Sequence, residues 1–122
     1  MLDIANNGII RVSRGDSFRM PLFIDCGTPS APMRYTVGVK DEVYFGVMEA
    51  NQPFEYALIK KKYTIEDVNE DGDVVIEFTP EDTLMVIPDL YYYQVKARIY
   101  NPNANDYEVH TVVPKTKFFI EE

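Results

Sequence analysis

The stretch Tyr91-Tyr92-Tyr93-Gln94-Val95-Lys96-Ala97-Arg98-Ile99-Tyr100 decides the fold class. Successive side chains of a strand point to opposite sides, so Tyr91, Tyr93, Val95, Ala97 and Ile99 share one face. Tyr92, Gln94, Lys96, Arg98 and Tyr100 share the other. The first row is apolar and belongs in a core. The second is polar, long-armed and aromatic. Alternation sustained over this length is the signature of a half-buried β-strand.

The pattern repeats on both sides of that stretch. Upstream, Phe18, Met20, Leu22 and Ile24 alternate with Ser17, Arg19, Pro21 and Asp25; Pro21 cannot donate to a ladder, so this strand is expected at an edge or broken there. Cys26 to Pro32 has the residues of a loop. Val43, Phe45 and Val47 alternate with Tyr44, Gly46 and Met48, and a further strand is expected through Phe54, Tyr56 and Leu58, ending at Lys60-Lys61-Lys62. Asp67 to Asp73 reads as a polar turn before the inward row Val74, Ile76, Phe78. Asn101 to Asp106 is another turn, followed by strands around Tyr107–Val112 and Thr116–Ile120. With Gly8–Ser13 the chain reads as an all-β sandwich of about 7–9 antiparallel strands.

One short helix interrupts the strands near residues 80–87. Thr79 suits the N-cap, Pro80 the first helical position and Asp82 the exposed amides of the first turn. Pro88 ends it, which gives a helix over Glu81–Val86. Leu84, Val86 or Ile87 is expected to close one end of the sandwich as a lid.

Composition bounds the function. A chain of 122 residues is expected to be one domain, residues 1–122, with residues 1–7 as an arm that orders when it docks on a neighbour. Nine Tyr and seven Phe favour strands. A net charge of −8 disfavours nucleic acid as a partner, since phosphate binding needs clustered cations. The single cysteine, Cys26, has no partner in the chain for a disulfide. The start Met1-Leu2-Asp3-Ile4 has neither a basic segment nor an apolar run, so no secretory leader and no membrane association are expected.

Three motifs invite sharper readings. Arg14-Gly15-Asp16 spells an integrin-binding tripeptide, but its position before the run at Phe18 favours a tight turn between paired strands. Asp67 to Asp73 resembles the front of a calcium loop, yet the twelfth position is Phe78 where that loop needs Glu. A solvated hairpin turn with Gly72 at positive φ is the simpler account, with weak cation binding as the alternative. Lys60 and Lys62 share a strand face and Lys61 takes the other, which suits a salt-bridge element. His110 and Cys26 each lack a sequence-local partner for a nucleophile–base pair or a metal site. No catalytic frame and no cofactor site is expected, and the chain reads as a non-enzyme.

The outer row Tyr92, Gln94, Lys96, Arg98 and Tyr100 is the candidate interface, because Tyr and Arg are enriched where proteins meet. Two readings stand: an exposed contact face, or a face covered by a loop or the helix.

Several phrases also carry a family resemblance. Arg14-Gly15-Asp16-Ser17-Phe18, Asp41 to Gly46, Pro80-Glu81-Asp82-Thr83, Tyr91-Tyr92-Tyr93, Thr111-Val112-Val113-Pro114 and Phe118-Phe119-Ile120 are similar, in order and spacing, to a phage domain. It is the domain at the N-terminus of the baseplate upper protein of lactococcal-type phages, also seen in head-fibre and tail-fibre proteins. The resemblance spans about residues 8 to 121 and implies an immunoglobulin-like β-sandwich that docks a fibre or receptor-binding module onto the virion. It further implies other virion structural proteins as partners, several symmetric copies as a homo-oligomer, and no catalytic residues. Such domains usually precede a coiled coil, stalk or receptor-binding region, whereas this sequence ends at Glu121-Glu122, so a stand-alone adaptor or a docking domain is expected. A capsid decoration or head-fibre base is the alternative expectation, and a carbohydrate-binding module the second.

Overall fold

The computed structural model describes residues 3–4, 8–22 and 35–122. Its strands are β1 (Asp3–Ile4), β2 (Ile10–Ser13), β3 (Phe18–Leu22), β4 (Glu42–Met48), β5 (Ile59–Tyr63), β6 (Val74–Phe78), β7 (Asp89–Asn101) and β8 (Asp106–Glu121). One helix, α1 (Pro80–Leu84), lies between β6 and β7, and 3-10 turns lie at Phe54–Tyr56 and Ile65–Asp67. The chain is all-β. Six strands form one sheet in the order β1-β2-β8-β7-β4-β5, and β3 pairs with β6 in a second sheet of two.

The alternation read in the sequence places the core. Ile10, Val12, Val43, Phe45, Val47, Ile59, Tyr63, Tyr91, Tyr93, Val95, Ala97, Phe118 and Ile120 come from the large sheet, and Phe18, Val74, Ile76 and Phe78 from the small one. Aromatic rings join the two. Phe18 stacks on Phe78 at 4.6 Å between centroids, and Phe78 meets Phe45 edge-on at 5.7 Å and Phe118 at 5.9 Å. Phe45 and Phe118 each also contact Tyr93. The tyrosines keep their hydroxyls satisfied from within the core: Tyr93 donates to the Gly8 carbonyl at 2.6 Å and Tyr91 to the Ile87 carbonyl at 2.6 Å. Burial raises the pKa of both phenols.

The structure corrects several expectations. Not every pair of strands is antiparallel: β2 runs parallel to β8, with Ile10 opposite Phe118 and Val12 opposite Ile120. Arg14-Gly15-Asp16 does turn tightly, with Gly15 at φ 84° and the Asp16 amide donating to the Ser13 carbonyl at 3.1 Å. The strands it joins, β2 and β3, lie in different sheets and are not paired with each other. The expected strand through Phe54, Tyr56 and Leu58 is instead the 3-10 turn after Pro53, and the strand begins at Ile59. The two final strands are one, β8. Its pairing with β7 shifts register around Val95, next to Pro114, whose missing N–H interrupts a regular ladder.

Helix α1 starts as the sequence predicts, with Thr79 at the N-cap and its amide donating to the Asp82 carboxylate at 2.7 Å. It ends earlier, at Leu84, and the expected lid is not formed by Leu84 or Ile87, which are 53% and 75% exposed. A helix this short turns one position inward, and that position is Thr83. Its hydroxyl accepts the Gly15 amide at 2.9 Å, while Val86 packs partly against the core. Ile24 and the Cys26–Pro32 loop lie outside the described residues. Part of the expected N-terminal arm, Asp3–Ile4, folds back as β1 against β2 within the same chain.

A buried carboxylate fastens the entry to β4. Asp41 accepts from the Tyr35 hydroxyl at 2.5 Å, the Gly38 amide at 2.8 Å and the Tyr100 amide at 2.9 Å. Burial pushes its pKa up, but these hydrogen bonds outweigh burial and hold it below the ordinary value.

Two stability predictions follow from the core and this anchor. Phe78→Ala removes the ring that touches both sheets and is expected to cost about 3–5 kcal/mol, read by urea unfolding. Asp41→Asn leaves one acceptor oxygen and turns an amide donor toward backbone donors, an expected loss of about 2–3 kcal/mol. Because the folded pKa of Asp41 is depressed, its contribution is present above the unfolded pKa and is lost as pH falls through the folded one. The difference between wild type and Asp41→Asn is therefore expected to shrink in acid, and a pH-independent difference would refute the ionic role.

Candidate functional site

The site is the outer face of the six-stranded sheet, built outward from β7. Residues opposite each other in a ladder share a face. Arg98 therefore sits beside Glu42, Lys96 beside Tyr44, Gln94 beside Gly46, and Tyr92 between Met48 and Lys117. One strand further, Tyr44 adjoins Lys62 and Gly46 adjoins Lys60; at the hairpin end Tyr100 adjoins Tyr107. Beyond β8, Arg11 lies beside Phe119.

The five residues singled out in the sequence thus share one surface, with Arg98 exposed and Tyr92, Gln94, Lys96 and Tyr100 half-buried. Part of that face, around Gly46, is covered by a 3-10 turn. The 3-10 turn lays Phe54 over Gly46, so closely that a Cβ added to Gly46 would stand 2.6 Å from the Phe54 Cε2. Phe54 and Met48 are buried on this side without belonging to the core between the sheets.

Charge on this face differs from that of the rest of the molecule. Arg11, Lys60, Lys62, Lys96, Arg98 and Lys117 are six of the twelve Lys and Arg in the chain. Glu42, Glu121 and, opposite Arg11, Asp3 hold the acid positions of the strands on the same side. Glu42 bridges Lys62 at 2.6 Å and Arg98 at 3.1 Å, and the hydrogen bond from Lys62 is the first cause of its lowered pKa. Lys60 and Lys96 place their ammonium groups 5.0 and 5.3 Å from the Phe54 ring. Neither has a carboxylate within salt-bridge distance among the described residues. The Arg98 guanidinium lies 3.9 Å from the Tyr107 ring, which meets Tyr100 at 5.4 Å, and Lys40 sits 4.3 Å from Tyr100 on its other contact. The arrangement offers cations seated on aromatic rings, a surface suited to an acidic or hydroxyl-rich partner.

Sequence reading found β7 and missed its neighbours Tyr44, Phe54, Lys60, Lys62, Tyr107 and Lys117. A signal existed in Gly46, the one residue without a side chain in the outward row of β4, followed at Pro53-Phe54 by a turn able to fold a ring back.

The other motifs are held by structure. In Arg14-Gly15-Asp16, Arg14 pairs with Glu122 at 2.8 Å and Gly15 is bound to Thr83. In the acidic turn, Asp67 receives the Thr64 amide at 2.8 Å, and Asn69 Oδ1 receives the amides of Asp71 and Asp73, with Gly72 at φ 85°. Among the described residues no group of three His, Cys, Asp or Glu side chains is placed to share a metal ion. Lys61 faces away from Lys60 and Lys62 and pairs with Asp82 at 2.8 Å. His110 is exposed, 3.5 Å from Glu108. Leu84, Met85 and Ile87 leave an exposed apolar patch after α1. No helix among the described residues is long and apolar enough to cross a membrane.

With this geometry in view, the chain matches no family model, and no curated protein and no solved structure matches it.

Gly46→Ala is expected to expel Phe54 from its seat and lower stability by about 1–3 kcal/mol. In a Phe54→Ala background the same substitution should cost markedly less, a coupling measured by a double-mutant cycle in thermal unfolding. Additive effects would show that Phe54 does not rest on Gly46.

Proposed function

We propose that the chain is a non-enzymatic structural protein of a tailed phage virion, a baseplate or tail adaptor that docks or displays a fibre or receptor-binding module. It works through subunit contacts. The observation that carries the reading is the outer sheet face, where half of the Lys and Arg of a chain of net charge −8 gather among Tyr44, Tyr92, Tyr100 and Tyr107. A face of this kind on an otherwise acidic molecule fits a protein whose work is to be held by neighbours. In this reading the two facing sheets are an immunoglobulin-like sandwich, with the parallel β2–β8 pair as a local departure from the antiparallel pattern. Two of the phrases that carry the phage resemblance touch directly, through the Gly15 amide and the Thr83 hydroxyl, which supports reading them as parts of one frame. Closed symmetry would multiply each modest contact into a stable assembly.

Quantitative mass spectrometry of purified particles of the encoding phage tests the proposal. The chain is expected at a copy number that tracks the baseplate proteins, and incorporation of Lys96→Glu/Arg98→Glu is expected to fall by about tenfold or more with folding intact. A number tracking the capsid protein would move it to a head decoration or fibre base. Absence from particles would overturn the virion reading and turn attention to saturable binding of cell-wall polysaccharide.

A further inference from the structure

Strand β8 has two edges, and only one is used along most of its length. Its β7 side is paired from Asp106 to Ile120, but its other side is paired, by β2, only from Phe118 to Glu121. From Asp106 to Val113 no strand among the described residues pairs with that second edge. Val109 in the middle of it is 66% exposed.

Two edge strands of this molecule carry the usual guards against strand pairing. The terminal strand β5 contains Lys60-Lys61-Lys62, and β3 contains Pro21. On β8 the guards, Pro114 and Lys115, begin only after Val113. The run Tyr107-Glu108-Val109-His110-Thr111-Val112-Val113 has neither Pro nor Lys, and most of its residues favour strands. Among the described residues it is an open template long enough for a partner strand.

We propose that this edge pairs with the same edge of a second copy, antiparallel, about a two-fold axis at Val109. The register is decided by faces and charge. Residues opposite each other must point to the same side of a continuous sheet, so a two-fold axis normal to the sheet must pass through a residue rather than between two. Centring on Glu108 sets two carboxylates against each other, and centring on His110 opposes two imidazoles. Centring on Val109 sets the exposed valine against its copy and places each Glu108 opposite His110 of the other chain, twice. Tyr107 then faces Thr111. Within one chain Glu108 and His110 already lie on one side of β8, 3.5 Å apart, so their copies meet with complementary groups aligned. The pairing would join two six-stranded sheets edge to edge and merge their outer faces at Tyr107 and Arg98.

The inference does not depend on the virion reading, and its test uses only the purified chain. Sedimentation equilibrium across the micromolar to millimolar range is expected to show a reversible dimer, with amide-exchange protection at residues 106–113 that grows with concentration. Val109→Lys, at an exposed position, should weaken the dimer by about tenfold or more while thermal unfolding of the monomer is unchanged. Glu108→Lys/His110→Lys and His110→Glu should each be monomeric alone, and a mixture of the two should form a heterodimer, because each then opposes unlike charges. A chain that stays monomeric at all concentrations would overturn the assignment to a second copy and give the edge to a strand of another protein. A dimer indifferent to these substitutions would overturn the β8 edge itself.

Discussion

The contact between Phe78 and the rings around it is the constraint on which the rest of the fold depends. Among the described residues the small sheet shares no ladder with the large one, so the packing of side chains sets how the two face each other. Phe18 and Phe78 come from the small sheet; Phe45, Tyr93 and Phe118 come from three different strands of the large one. Each aromatic pair contributes roughly 0.5–1.5 kcal/mol beyond the area it buries, and the offset and edge-on geometries fix how the sheets face each other. Phe118 also brings β8 under the layer, and β8 in turn holds β2 by the parallel pairing at residues 118–121. The long hairpin is thus clamped at its base, and toward its tip no strand among the described residues pairs with the second edge of β8.

That asymmetry explains how one strand serves two purposes. The second half of β8 is core, with Phe118 and Ile120 buried, while its first residues, Asp106 to Glu108, run past the end of β4, whose pairing with β7 begins at Glu42 opposite Arg98. The irregularity near Pro114 separates the halves. Val112 and Val113 both lean on the core there, which absorbs the extra residue and lets the outward rows on either side resume their faces. The result is a hairpin end whose second edge no strand among the described residues pairs with.

Much of this was legible in the sequence, and the failures share a cause. The inward rows of β3, β4, β6 and β7 were readable because a period of two is a property of a single strand. Which strands adjoin one another is not, so the parallel β2–β8 pair and the neighbours of Lys96 on β4 and β5 could not be seen from spacing alone. Phe54, Tyr56 and Leu58 mimic strand alternation, but Pro53 and the vacant place over Gly46 favour a turn that buries one ring and leaves the other two exposed. The expected lid failed for a related reason. Apolar residues after Pro80 promised a buried face, yet the buried position went to Thr83, whose hydroxyl supplies an acceptor to the half-buried Gly15 amide that no apolar side chain could offer.

The same logic accounts for the outer face. An exposed lysine normally meets a carboxylate, and this chain has twenty to offer. Lys60 and Lys96 instead share the ring of Phe54, whose attraction holds an ammonium group without cancelling its charge. Glu42 is spread over two cations, Lys62 and Arg98, so it neutralises neither completely. The face is therefore ordered by its own contacts yet keeps a net positive potential. The acids left on the remaining surface give that potential its direction, and a second copy paired along β8 would double its area. A surface held rigid and electrostatically unsatisfied is preorganised for a partner, since little side-chain entropy remains to be lost on contact.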